Sequence, residues 1–163
     1  MPVRRIETER LILEPVTPDI ARAVVAGDFS SLDAAEGWPH DDTTDAMTMM
    51  TGSEAGPGWL ITTGGSVIGD CGAYAWPDST GEVQIGYGLA APSRGHGYAT
   101  EAASAMCSWL FTDAGATRIT AVDVLSDNLP SRRVLEKVGF TVTDESHDHL
   151  SYALAPYDIR SRR

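Results

Sequence analysis

The chain has 163 residues, 42% of them hydrophobic, and a net charge of −11. That composition suits one packed domain, expected to span residues 1–163. Nucleic acid is disfavoured as a partner, because neutralising phosphates takes a basic face, and no apolar run approaches the roughly 20 residues of a membrane helix, so no membrane partner is expected.

The charge is unevenly placed. Between Ala23 and Ser93 there is no Lys or Arg, yet ten acids fall there: Asp28, Asp33, Glu36, Asp41, Asp42, Asp45, Glu54, Asp70, Asp78 and Glu82. The remainder holds thirteen acids against twelve bases, so nearly all the excess negative charge lies in one half. Met1 to Arg5 lead into an amphipathic strand rather than an apolar signal region. Cys71 and Cys107 sit in a predicted strand and a predicted helix without metal spacing, as buried reduced thiols do. A cytoplasmic chain is the expectation.

Taken in order, Arg5 to Val16 alternates apolar residues (Ile6, then Leu11 and Leu13) and predicts a first strand ended by Pro15 and Pro18. Thr17 caps a helix with Pro18 at its first position, running to about Ala26 and stopping at Gly27. Asp28 to Asp42, with Gly37-Trp38-Pro39-His40, has no clear period and reads as loop, with room for a short helix. Thr43 or Thr44 starts a second helix through Met47 and Met50, ending near Gly52. Trp59 to Thr63 and Ser66 to Trp76 predict a hairpin turned at Gly64-Gly65. Val83 to Leu89 alternates as another strand. A glycine-rich turn then opens a helix carried by Tyr98, Ala102, Met106 and Trp109. Arg118 to Val124 is rich in strand formers. Ser126 or Asp127 is expected to cap a helix over Asn128–Val138, with Gly139 as its stop. Phe140 to Val142 and His149 to Leu154 make a last strand pair, and Arg160 to Arg163 a frayed tail. This order suits an α/β sheet with helices on both faces.

The glycine-rich turn carries the chemistry. Gly95 and Gly97 remove side chains that would block a ligand from the backbone. The first helical turn then offers free N–H groups and the positive end of the helix dipole, which makes Arg94 to Thr100 a phosphate cradle. Neither nucleotide fingerprint fits it. GxGxxG needs a small residue where Thr100 stands, and the chain has no GxxxxGK[ST].

What does fit is Arg94-x-x-Gly97-x-Ala99, similar to the R/Q-x-x-G-x-G/A pyrophosphate loop of the GCN5-related N-acetyltransferases (GNAT). Asn128-Leu-Pro-Ser131 through Gly139-Phe140 resembles the other half of that family's acetyl-CoA site. Glu7 to Leu13 looks like the opening strand of the subgroup that acetylates ribosomal-protein N-termini. The resemblance implies the GNAT acyl-CoA N-acyltransferase fold, with a mixed sheet of about six or seven strands and about four helices on both faces. It implies acetyl-CoA as co-substrate and direct transfer to a primary amine, without a covalent enzyme intermediate.

Carried onto this chain, the resemblance assigns acetyl-CoA binding to Leu89 and Ala90 at the end of the strand, and to Arg94, Gly95, His96, Gly97, Tyr98, Ala99 and Thr100 in the cradle. Asn128, Ser131 and Arg133 join them from the later helix. The Leu89 amide would polarise the thioester carbonyl, and Arg94 would meet phosphate or brace the loop. Leu135 stands where many members have a tyrosine acid, so Ser131, where the subgroup has serine, takes that role. Gln84 stands where the subgroup often has a glutamate base, and glutamine accepts no proton at neutral pH. Glu82, roughly 7 Å away on the same strand face, is the expected base through a water, with His147, Asp148 and His149 as alternatives. Gln84 and Leu135 keep a second reading open, an acyl-CoA-binding module without catalysis. The acceptor is a peptide N-terminus or a small amine, cationic if the acidic half lines its site. Monomer and homodimer both stand.

Overall fold

The alternating residues at the N-terminus form two short strands rather than one: β1 (Ile6–Glu7) and β2 (Ile12–Pro15), paired antiparallel. Thr8 folds the chain back between them, its N–H donating to the Leu11 carbonyl at 2.9 Å. The computed structural model describes residues 2–52 and 54–160; of the expected C-terminal tail, residues 161–163 lie outside the described residues.

From β2 the sheet grows strand by strand. β3 (Gly58–Thr63) and β4 (Ser66–Ala73) form the hairpin at Gly64-Gly65, and β5 (Glu82–Leu89) pairs with β4, all antiparallel. β6 (Arg118–Leu125) lies parallel to β5, and β8 (His149–Leu154) separates β6 from β7 (Thr141–Glu145). The order is β1-β2-β3-β4-β5-β6-β8-β7, an eight-stranded mixed sheet. It exceeds the expected six or seven because the first strand is broken at Thr8-Glu9-Arg10.

Four helices cover the two faces: α1 (Pro18–Val25), α2 (Thr43–Met50), α3 (Tyr98–Thr112) and α4 (Leu129–Val138). Thr17 caps α1 by accepting the Ile20 N–H at 3.2 Å. Successive strand residues point to opposite faces, so Trp59 and Ile61 pack with Met106 and Leu110 of α3 and Leu135 of α4. Leu60 between them packs with Ala21 and Val24 of α1 and Met47 of α2. Each such aliphatic side chain contributes on the order of 1.5–3 kcal/mol. α4 starts one residue later than expected, because Asn128, not Ser126 or Asp127, is its cap; Asn128 Oδ1 accepts the Ser131 N–H at 3.3 Å. Among the described residues no helix is long and apolar enough to cross a membrane.

The feature that positions the site is a fault in the sheet. Antiparallel neighbours need only a turn, but the parallel β5–β6 pair needs a crossover, and α3 supplies it. The two strands pair only from Glu82–Arg118 to Gln84–Thr120. Beyond that, β6 bulges, with a register shift between Ala121 and Val124 and Asp123 at φ +56°. From Ile85 onward β5 and β6 part, leaving a gap that opens at the end of β5.

Candidate active site

The chain leaves β5 through a single 3-10 turn, Ala91–Ser93, and enters the cradle at the mouth of the gap. Gly95 and Gly97 stand at φ +82° and +81°, a region that other residues enter only under strain. Gly97 is the N-cap of α3 and no side chain caps that helix. The N–H groups of Tyr98, Ala99 and Thr100 therefore have no helical acceptor and face outward. A side chain at Gly95 would meet nothing within 4 Å, so the loop's backbone is open to a ligand. The cavity there holds about 590 Å³, and Arg94, Arg133 and Lys137 give its wall positive charge.

Leu89, Gly97, Tyr98, Ala99, Thr100, Asn128 and Ser131 all line this cavity. Two predicted residues do not. Ala90 is fully buried in the α1–α2 layer, its N–H donating to the Ile68 carbonyl at 2.8 Å. His96 turns its exposed ring against Tyr98, 5.6 Å between centroids. The ladder bonds of β5 to β4 fall on alternate residues, with Tyr74 N–H on the Gln84 carbonyl and Ala90 N–H on that of Ile68. The backbone groups of Tyr87 and Leu89 consequently point the other way, into the gap. Arg94 Nε donates to the Leu89 carbonyl at 3.1 Å and braces the loop, which leaves the Leu89 N–H as the inward donor.

Ser131 opens α4 on the far side of the gap. Its Oγ lies 3.1 Å from the Tyr87 hydroxyl, which also reaches the Ser131 carbonyl at 3.2 Å. Burial pushes the Tyr87 phenol up to about 12, with the Ser131 hydrogen bond pulling the other way. Both hydroxyls keep their protons at neutral pH. Arg132 points away, to the Tyr152 hydroxyl at 3.2 Å and the Ser126 carbonyl at 2.9 Å.

On the α1–α2 face a second cavity of about 370 Å³ reaches the same gap. Met47 and Met50 give it an apolar wall, Tyr74 and Gly86 a floor, and Asp42 and Asp45 negative charge. His40, Asp42 and Tyr87 line both cavities. His40 Nδ1 lies 3.0 Å from Thr43 Oγ1, which donates to Asp70 Oδ2 at 2.8 Å; Trp38 Nε1 donates to the same oxygen at 3.0 Å. Burial pushes the Asp70 carboxyl above its ordinary range, partly offset by His40 and these donors. Cys71 also lines this cavity, and burial pushes its thiol well up, so it is no thiolate.

Glu82, the expected base, is not in the site. It stands at the start of β5, where the strands still pair, and its carboxylate is bound to Arg118 at 2.6 Å on the surface. His149 pairs with Asp148 at 2.6 Å on the β7–β8 hairpin, and neither they nor His147 line either cavity.

The profile of the acetyltransferase (GNAT) domain matches residues 10–141. The chain belongs to the GNAT family. It is an acetyl-CoA-dependent N-acetyltransferase, and the cradle, its basic rim and the open β5 edge fit that co-substrate. It is 27% identical over 158 residues to YjdG of Bacillus subtilis (strain 168), an uncharacterized N-acetyltransferase, with 88% of this chain and 94% of that protein aligned. The ribosomal-protein-S5-alanine acetyltransferase of Vibrio fischeri shares the fold at a TM-score of 0.70 and 16% identity, over 97% of this chain and 100% of that one. RimJ of Mycobacterium smegmatis, solved with a CoA disulfide, superposes at a TM-score of 0.67 with 23% identity, over 93% and 84% of the two chains.

In this GNAT chain sequence reasoning passed over two groups that the structure puts at the site. One is His40 with Thr43 and Asp70. The other is Arg10, which reaches from the β1–β2 turn to the cradle: Nε to Glu101 Oε1 at 2.8 Å, NH1 to the His96 carbonyl at 2.8 Å, and its guanidinium 4.6 Å over the Tyr98 ring. The visible signal for Arg10 was a lone acid in the first turn of an apolar helix, Glu101, which is only 2% exposed and calls for a partner.

Proposed function

We propose that this chain is a single N-acetyltransferase domain over residues 1–163 that transfers acetyl from acetyl-CoA to the primary amine of a cationic acceptor, a peptide N-terminus or a small amine. One observation carries the reading: two cavities on opposite faces of the sheet meet at the β5–β6 gap, sharing His40, Asp42 and Tyr87. A donor held by the cradle and an acceptor entering between α2 and β4 meet there with few degrees of freedom left, which is where rate is gained. The cradle N–H groups, Arg94, Arg133 and Lys137 hold the phosphates. The Leu89 N–H polarises the thioester carbonyl. The amine nitrogen attacks the thioester carbon, the carbon–sulfur bond breaks, and the Ser131 hydroxyl, partnered by Tyr87, protonates the departing sulfur. The high pKa of Cys71 supports direct attack over a cysteine intermediate.

The cationic preference rests on Asp42 and Asp45 in the acceptor wall. Asp33, Glu36 and Asp41, also candidates from the charge pattern, do not line it; Asp33 instead accepts the Ser66 hydroxyl at 2.9 Å. The Vibrio fischeri neighbour acts on a ribosomal protein, which agrees with a peptide N-terminus as acceptor. The test is acetyl-CoA consumption against a panel of cationic and neutral amines and peptides, with mass spectrometry of the products. Products on cationic acceptors are expected. Transfer to none of them, or equal transfer to neutral and cationic amines of one size, overturns the corresponding part of the reading.

A further inference from the structure

We propose that His40 is the general base of the transfer, with Thr43 and Asp70 as the residues that position its ring. The inference rests on the acetyl-transfer reading above. At pH 7 an alkylammonium with the ordinary pKa of about 10.4 is neutral in only about one molecule in 2,500, and a peptide N-terminus, near 8, in about one in ten. The Asp42 and Asp45 carboxylates of the acceptor cavity favour the charged amine further. The reaction therefore needs a proton acceptor at the junction of the two cavities, and neither Gln84 nor Glu82 is there.

His40 is. Its side chain is only 9% exposed, and it lines both cavities. A Cβ on Gly88 would collide with Nε2, so the ring lies directly against the β5 backbone where the gap opens. With Asp70 ionised, as its Trp38 and Thr43 donors favour, the hydrogen bonds leave one tautomer. The single proton of the Thr43 hydroxyl goes to Asp70 Oδ2, so toward His40 that hydroxyl is an acceptor. It takes the His40 backbone N–H at 3.2 Å and, at 3.0 Å, the proton on Nδ1. With Nδ1 as donor, the lone pair of the neutral ring sits on Nε2, the nitrogen against Gly88. Asp70, 3.8 Å from Nδ1 and buried, stabilises the imidazolium that forms. The charged and titratable groups around the ring are Asp42 and Asp45 on the α2 side, Asp70 and Cys71 of β4, Tyr74 just beyond it, and Tyr87 of β5. Arg94 from the cradle and Arg133 and Lys137 from α4 line the donor cavity.

In the step itself, a proton leaves the ammonium for Nε2 and the freed nitrogen lone pair bonds to the thioester carbon. The carbon–sulfur pair departs on sulfur and takes the Ser131 proton. The amide nitrogen sheds its remaining excess proton to solvent, and the imidazolium returns its own to the serine oxygen through water, so charge and protons balance.

The test combines kinetics with His40→Ala and His40→Gln, calorimetric acetyl-CoA binding, and ¹⁵N NMR of the imidazole rings. His40→Ala is expected to lower kcat by about 10²–10⁴-fold with acetyl-CoA affinity changed less than about twofold. Its kcat/KM should follow the free-amine fraction, falling about tenfold per pH unit below the amine's own pKa where the wild type is expected to hold a plateau, and part of its rate should return with added imidazole. Asp70→Asn is expected to extend that plateau to lower pH, because the imidazolium loses the carboxylate beside it. The NMR spectrum should show the proton on Nδ1. Should His40→Ala fold poorly, His40→Gln, which keeps the bulk over Gly88, is read by the same criteria. A kcat within about threefold of wild type, a pH profile unchanged in His40→Ala, or the proton on Nε2 overturns the assignment. A wild type that transfers to no amine overturns the functional reading and the base with it. An active wild type beside an equally active His40→Ala overturns the base alone.

Discussion

Ser131 can be tested without disturbing the helix that presents it, because the Asn128 cap holds its backbone N–H rather than its side chain. Ser131→Ala should thus lower kcat by about 10²–10⁴-fold, whereas acetyl-CoA binding should lose no more than one neutral hydrogen bond, about 0.5–1.5 kcal/mol. Steady-state kinetics beside calorimetry measure both. A drop in kcat below about fivefold would leave the proton to Tyr87 or to water. That Arg94 to Thr100 and Asn128 to Ser131 would each stand together was legible because each is contiguous, one loop and one helical turn. His40 was not, since it stands in an aperiodic loop and its carboxylate, Asp70, comes thirty residues later on a strand. Glu82 failed for a related reason. Strand alternation gave its face correctly, but nothing in the sequence says that β5 and β6 stay paired through Gln84 and part only afterwards.

Among the elements, the join between the β1–β2 turn and α3 bears most directly on the cradle. Glu101 accepts from the Thr8 hydroxyl at 2.5 Å, the Arg10 N–H at 2.8 Å and Arg10 Nε at 2.8 Å. Burial alone would push its carboxyl up, yet those donors and the Arg10 charge outweigh it and hold the group below its ordinary range. A depressed folded pKa means that this stabilisation is present above the unfolded value of about 4.3 and is lost as pH falls through the lower folded one. Glu101→Gln is expected to cost about 1–3 kcal/mol at pH 7, with the ionic share reduced because Arg10 is partly in water. The gap between variant and wild type should close on acidification below about pH 4. Urea unfolding at pH 7 and pH 3 measures it. Equal midpoints at pH 7 would show the join to be dispensable. Acetyl-CoA affinity should fall severalfold in the same variant, because Arg10 also holds the His96 carbonyl of the cradle. Element boundaries came through in the sequence where a cap or a glycine marks them, as at Thr17 and Gly139. They blurred at Ser126-Asp127-Asn128, three residues that all favour the capping position.

At the scale of the whole molecule, the base-free stretch from Ala23 to Ser93 folds into the end of α1, then α2, β3, β4 and β5, and the bases at Arg94, Arg133 and Lys137 gather on the donor side. The charge asymmetry was plain in the sequence; which acids face a ligand was not, because that depends on how α2 sits over β4. Asp42→Asn with Asp45→Asn should reduce kcat/KM for a cationic acceptor several times more than for a neutral amine of similar size. Raising salt should erode the wild-type preference as the Debye length falls from about 10 Å at 0.1 M to about 3 Å at 1 M. A preference that survives both treatments would place recognition elsewhere.

The parting of β5 from β6 has a consequence for the protein before any substrate arrives. A sheet normally exposes backbone only at its two outer margins; this one carries a second pair of raw margins through its middle, and three residue pairs act as the spine between two leaves. Such a molecule should breathe along that spine. A pantetheine arm lying against β5 would finish the ladder, so the donor acts as a staple as well as a reagent. Amide exchange at Tyr87 and Leu89 is expected to be fast in the free protein and to slow sharply with acetyl-CoA, with Cys107 in the packed middle of α3 unchanged as a reference. At 100 times Kd the ligand should add about 2.7 kcal/mol to global stability. Proteolytic lifetime would then track the supply of acetyl-CoA, and the chain would persist longest when it has a donor to spend.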